Sequence, residues 1–322
     1  MLGMSKSTMV LYDGRTKRVH ALVDDPKHVI IEFKDKIPIE NIDNTVAGRA
    51  KFACETNSFL MQYLAEKGVD THLVEKLDET RIKCLKSNVF PTRVVCRNIS
   101  TSAFADRIGI ERNLVFGEPI IDFYLEKNEK VVLVSRDTVR NFADISNNEI
   151  TLIESVTASI NYYLKELFKQ IDLSLAEIRL RFGRTENGTL VLTDEITGET
   201  MSIMKKHEVG SYIFPCDVDN TIASYENLLE RLEQSNPDDI PTRFETLYVE
   251  VMPREEVRDP SGQAVMRILK KAGIDFIEDG RMGRVFRIKI KKPLTSGILS
   301  QISEVSLGLL SNPLSEYHEL RV

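Results

Sequence analysis

The chain has 322 residues, 42% hydrophobic and 29% charged, a globular composition too long for one ordinary compact unit and read here as two domains. Its net charge of −6 argues against an electrostatic nucleic-acid binder, which needs a surplus of Lys and Arg, yet it is compatible with a local basic pocket for a phosphorylated small molecule. No run approaches a membrane span and residues 1–9 lack a signal-peptide core, so a cytoplasmic chain with no membrane role is expected.

In chain order, residues 9–20 read as two short strands around Asp13-Gly14-Arg15-Thr16, followed by a strand over 28–33. Phe52, Thr56, Phe59, Leu60, Tyr63 and Leu64 recur at helical spacing, and Gly68 supplies the stop. Residues 73–77 and 92–96 are strand candidates. Residues 151–170 form the clearest helix, with Leu152, Val156, Ile160, Tyr163, Leu164 and Leu167 on one face. Alternating strands over 177–182 and 190–196 flank Glu186-Asn187-Gly188, and Asn-Gly there predicts a type I′ hairpin turn. A further amphipathic helix spans 221–232. The four cysteines (Cys54, Cys84, Cys96, Cys216) lack C-x-x-C spacing and read as buried thiols, and the five histidines form no metal pair, which argues against a zinc enzyme.

A domain boundary falls in EQSNPDDIPT, residues 233–242, where two prolines with Ser, Asn and Asp end the helix and read as a linker over 234–242. The pattern then restarts as strand (245–252), helix (261–272), strand pair (275–278 and 285–290), helix (295–310) and strand (317–322). That βαββαβ order predicts a small ferredoxin-like α/β domain over 243–322, after a first domain over 1–233. Asp259-Pro260 sets up a helix start, Gly283 fits a tight turn, and Asn312-Pro313 ends the last helix. No nucleophile, base or metal cluster is apparent in this domain, and it reads as an assembly module.

The runs MPREEVRDPSGQAVMRILKKAGI, DGRMGRVFRIKI and LLSNPLSEYHELRV resemble the PurS-type small subunit of formylglycinamidine ribonucleotide synthetase, with Asp259, Pro260, Gly262, Val265, Gly283, Asn312 and Pro313 at matching positions. The resemblance implies a dimeric partner bridging the large and glutaminase subunits; a unit that merely dimerises the chain is the plainer alternative. The segments LYDGRTKRVH, VIIEFKD, FLMQYLAEKGVDTHLVEKL, VVCRNISTSAFADRIGI, PIIDFYLEKN and LRFGRTENGTLVLTDEIT resemble, in order and spacing, the SAICAR synthetase family. An α+β, two-lobed fold is implied, with ATP and Mg²⁺ as cofactors and nucleotide substrates. In that family ATP phosphorylates a carboxylate, and the amine of aspartate then captures the acyl phosphate.

Such chemistry needs a phosphate cradle, metal-binding carboxylates and cations for substrate anions. The resemblance assigns ATP contact to Gly14, Arg15 and Lys17, metal to Asp194 and Glu195, and substrate anions to Arg97, Ser100 and Ser102, with Lys17, Arg97 and Asp194 as the catalytic set. Each has a plainer reading: an ordinary hairpin at Gly14, a solvated strand end at Asp194-Glu195, a surface ion pair at Arg97. Departures from the family concentrate at the site. Arg181 and Arg93 stand where it has acidic residues, Ser202 and Lys205 where it has Arg and Asp, and Ser102-Ala103 where it has Gly-Ser. An Asp-rich loop after IIDFY is replaced by a strand-like run. Three readings follow: a divergent SAICAR synthetase, a non-catalytic scaffold or nucleotide sensor, and an amide ligase for another carboxylate and amine.

Overall fold

The computed structural model describes residues 8–39, 42–127, 130–208 and 210–322, and the chain divides into two compact units, Met1–Thr242 and Arg243–Val322. In the first unit, five antiparallel strands form one sheet in the order Thr8–Asp13, Lys17–Leu22, His28–Phe33, Arg81–Leu85, Leu73–Lys76. Strict alternation in His28–Phe33 buries Val29, Ile31 and Phe33, and the helix Arg49–Glu66 packs on that apolar side. The helix ends where Gly68 turns left-handed (φ 92°) and Val69 N–H reaches back to Leu64 O at 3.0 Å, which satisfies a terminal carbonyl.

A second, eight-stranded sheet centres on Thr92–Ile99 and Leu173–Thr185. Val115–Lys127 and Lys130–Val134 extend it on one side, Met201–Lys205 and Tyr212–Phe214 on the other. Its pairing registers Arg97 with Glu177 and Val95 with Arg179. Because side chains alternate, residues 93, 95 and 97 share one face with 177, 179 and 181, while Val94, Cys96 and Asn98 face the other way. The helix Asn147–Gln170 covers that second face, where Asn98 and Asn161 exchange two buried side-chain bonds of 2.7 and 2.9 Å. The geometry thus leaves a charged face free for a site.

Several local expectations are corrected. The long helix begins at Asn147, where Ser146 and Glu149 form a reciprocal capping box ahead of the apolar stripe. At the Asn-Gly turn only Gly188 is left-handed (φ 82°), and its N–H closes onto Thr185 O, which fits a type I turn with a bulge in place of type I′. The strand expected to run to Ile196 stops at Thr193, because Asp194 is left-handed (φ 67°). The strand-like reading of the run after IIDFY holds for Lys130–Val134, which pairs with Val115–Lys127, and ends at the helix Arg136–Phe142. Cys54, Cys84 and Cys96 are buried and Cys216 is half-buried, all as free thiols.

The second unit has a three-stranded antiparallel sheet, Arg284–Ile290, Glu245–Pro253, Glu316–Arg321, with helices Pro260–Lys271 and Ser296–Leu309. No strand forms over 275–278: the segment lies between Gly273, left-handed at φ 82°, and Gly280, and Phe276 is 87% exposed. Asp259 caps the first helix, accepting from Ser261 N–H at 3.1 Å and Gly262 N–H at 2.9 Å. Gly283 serves close approach more than a turn, since a Cβ there would stand 2.4 Å from Val251 O.

Residues 234–242 are fastened to the first unit. Pro237 O accepts from Lys67 Nζ at 2.7 Å, Asn236 exchanges two bonds of 3.0 Å with Gln170, and Ile240 is buried.

Candidate functional site

On the charged face of the eight-stranded sheet lies a cavity of about 440 Å³. Four arginines line it, Arg93, Arg97, Arg107 and Arg179, against one carboxylate, Glu177. Arg97 is buried and held from several sides: its Nε donates to Glu177 at 2.8 Å, one terminal nitrogen to Asp122 at 2.6 Å, the other to the Tyr124 hydroxyl at 3.0 Å. Its guanidinium also stacks 4.6 Å from the Phe104 ring centre. Arg179 holds the other Glu177 oxygen at 2.9 Å, and Arg107 meets Tyr124 and the Phe104 ring. With four cations against one lining anion, the cavity suits a phosphate or carboxylate, which Arg binds in a planar, two-point manner.

Beside the cavity runs a string of alternating charges. Lys17 pairs with Asp194 and, at 2.9 Å, with Glu195, whose other oxygen takes the Thr16 hydroxyl at 3.0 Å. Arg181 Nε meets Asp194 at 3.0 Å and its terminal nitrogen meets Glu126. Arg93 meets the second Glu126 oxygen at 2.5 Å. Burial pulls the Arg93 guanidinium below its ordinary value; the Glu126 charge opposes this, and the Arg181 and Arg179 charges add to it. The left-handed backbone at Asp194 breaks the strand alternation, so Asp194 and Glu195 both reach Lys17.

A third cluster is sealed. Arg49 is fully buried and holds Glu199 with two bonds, 3.0 and 2.9 Å, and Lys34 O at 2.9 Å. Tyr225 donates to Glu199 at 2.6 Å and accepts from Gly198 N–H at 3.1 Å. Burial pushes the Glu199 carboxyl up, but Arg49 and Tyr225 outweigh it and hold it below its ordinary 4.5. Nearby, buried His72 is pushed down to about 3 by burial and by the Lys17 charge, and its Nε2 finds no partner among the described residues.

The residues singled out from the sequence fall into two groups. Arg97 and Ser102 line the cavity, whereas Ser100 does not: its hydroxyl donates to Glu111 O and accepts from Leu114 N–H, both at 2.7 Å, to shape the following loop. Gly14 does not offer its N–H to a ligand, since that group closes the turn onto Lys17 O at 2.9 Å; Arg15 is exposed beside it. Lys17, Asp194 and Glu195 do come together, but as ion pairs. Magnesium takes oxygen ligands in near-octahedral geometry. Here both Asp194 oxygens face cations, both Glu195 oxygens have donors, and no group of three Asp, Glu, His or Cys that would hold a metal occurs among the described residues. The arrangement does not fit Mg²⁺. Sequence reasoning missed Glu177, Tyr124 and Arg107 as cavity residues and Asp122 as a partner of Arg97; Glu177 meets Arg97 only through the register of two strands far apart in the chain.

Residues 10–213 match the family described as SAICAR synthetase, and residues 246–322 match the one described as PurS, phosphoribosylformylglycinamidine (FGAM) synthase. A Staphylococcus aureus relative, phosphoribosylaminoimidazole-succinocarboxamide synthase, is 29% identical over 231 residues, covering 70% of this chain and 98% of its own. The crystal structure of the Ehrlichia chaffeensis protein of that name is similar with a TM-score of 0.66 at 27% identity, over 70% of this chain and 98% of the other. A SAICAR synthetase solved in complex with ADP shares the fold at 24% identity and a TM-score of 0.65, over 71% and 98%. The chain belongs to the SAICAR synthetase family, with a PurS domain at residues 246–322.

Proposed function

We propose that the chain works in purine-nucleotide synthesis. Its first unit is an ATP-dependent ligase that joins aspartate to carboxyaminoimidazole ribonucleotide, and its PurS domain serves assembly of formylglycinamidine ribonucleotide synthetase. The observation that carries this reading is the arginine-lined cavity, built around Arg97 within the family match of residues 10–213. Arg97, Arg107 and Arg179 would hold the phosphate and carboxylate of the ribonucleotide, with Ser102 at the rim. A carboxylate oxygen attacks the γ-phosphorus, the bond from that phosphorus to the bridging oxygen breaks, and ADP leaves. The aspartate amine then attacks the acyl carbon, phosphate departs, and the amine proton passes to water. Lys17 and Arg15 supply positive charge to the nucleotide phosphates.

Full-length protein assayed in Mg²⁺-containing buffer should release ADP only when ATP, aspartate and the ribonucleotide are all present. No turnover with the complete set ends the ligase reading. A second reading, binding without catalysis, is favoured by Arg181 standing between Glu126 and Asp194. It expects nucleotide binding without ADP release, and co-purification with the large and glutaminase subunits. For the PurS domain, exposed Ile268, Phe276, Leu309 and Leu314 support self-association. Light scattering that finds only monomers across the concentration range would remove that part.

A further inference from the structure

Arg93 and Arg181 stand on neighbouring strands of one sheet face, one residue beyond the Val94–Leu180 pair. Like charges so placed repel each other, and the repulsion is relieved here by one carboxylate shared between them. Glu126, from a third strand, takes Arg93 on one oxygen and Arg181 on the other. Counted with Lys17, Asp194 and Glu195, the string holds three cations and three carboxylates, and its cationic end is Arg93, which shares Glu126 with Arg181 and has no second carboxylate of its own among the ion pairs of the described residues. Arg93 belongs also to the cavity wall, so that cationic end opens directly onto the space where an anionic ligand would lie. Arg181 in turn reaches the Asp194 oxygen that Lys17 leaves open.

A divalent cation entering this string would have to displace Lys17 and Arg181 from Asp194, and would bring its charge beside two cations already in place. A polyphosphate meets the opposite situation. A guanidinium offers a planar donor pair to phosphate oxygens, and both side chains are only part-buried, at 31% and 28% accessible, so phosphate oxygens can compete with Glu126 for them.

We propose that this chain binds the phosphates of a nucleoside triphosphate without a divalent cation, Arg93 and Arg181 supplying the charge that a metal ion would bring. The inference rests on the reading that the first unit binds a nucleotide. Calorimetric titration of the full chain with ATP, in excess EDTA and in excess Mg²⁺, tests it without any variant. The expected result is an affinity in EDTA equal to or tighter than that in Mg²⁺. Binding about tenfold weaker in EDTA, equivalent to about 1.4 kcal/mol, overturns the inference and leaves the nucleotide reading standing. No binding in either buffer removes both. Arg181→Glu, checked for folding by its melting curve, should weaken binding in EDTA about tenfold, on the scale of one charged hydrogen-bonded contact, and make it respond to Mg²⁺. An Arg181→Glu protein that binds like wild type in both buffers overturns the role given to Arg181.

Discussion

Arg49 and Arg181 each tie together segments far apart in the chain, yet one is sealed and the other open. Arg49 has no accessible surface, and its donors go to Glu199 and to backbone carbonyls. Arg181 keeps 28% of its side chain accessible and holds two carboxylates at the edge of a cavity. The difference lies in the alternatives each has. Removing one partner of a buried pair strands a charge away from water, whereas an accessible guanidinium can trade a carboxylate for water or for a ligand oxygen. The same residue type thus serves as a fixed joint in one place and as an exchangeable cation in the other.

Arg49→Ala should show the largest effect, destabilising by about 3–5 kcal/mol in urea unfolding, because Glu199 would be left buried and unpaired. The same pair gives an acid signature. Glu199 is depressed below 4.5 in the folded chain, so its contribution is complete above that value and is lost as pH falls below it. A loss under 1 kcal/mol for Arg49→Ala would break the contrast with Arg181.

Arg97 stands between the two cases, buried yet part of the cavity wall. Arg97→Ala should cost about 2–4 kcal/mol of stability, since Glu177 loses a buried partner. It should also abolish detectable binding in a calorimetric titration with the ribonucleotide. Arg97→Lys keeps the charge and loses the fork, so it should recover stability better than binding.

His72 sharpens the comparison from the side of pH. Unfolded histidine takes a proton near 6.5, but buried His72 does not until about 3. Stability should therefore be full above 6.5 and fall by about 1.4 kcal/mol per pH unit below it, or about 2 kcal/mol at pH 5. His72→Gln should flatten that slope, read from melting curves between pH 7 and about 5. The smallest effect belongs to Arg181→Gln, which should change stability by less than about 1 kcal/mol in urea unfolding.

Most helices and strands were legible in the sequence because their apolar residues repeat at 3.6 or 2: Arg49–Glu66, Asn147–Gln170 and His28–Phe33 all show it. The missed strand boundary at Thr193 has a local cause, a left-handed Asp194 that no hydrophobic pattern reveals. In the site, the motif resemblance located Arg97, Ser102, Lys17 and Asp194, but not what they touch. Glu126 and Arg93 become neighbours only through the pairing of Val115–Lys127 with Thr92–Ile99, a long-range register that spacing along the chain does not encode. Ser100 shows the converse: a hydroxyl in a promising run whose bonds are both taken by a loop eleven and fourteen residues away.

The fastening of residues 234–242 bears on how the chain can be divided. A truncation at Glu233 would uncover the seat of Ile240 and strip Lys67 and Gln170 of their partners. Proteases that seek proline-flanked, polar stretches should pass over this one and cut nearer Arg243 and Phe244, where the first unit ends and Phe244 is exposed. Separate expression of the two halves should therefore part them after Thr242, and the nine residues that look like a tether belong to the body before it.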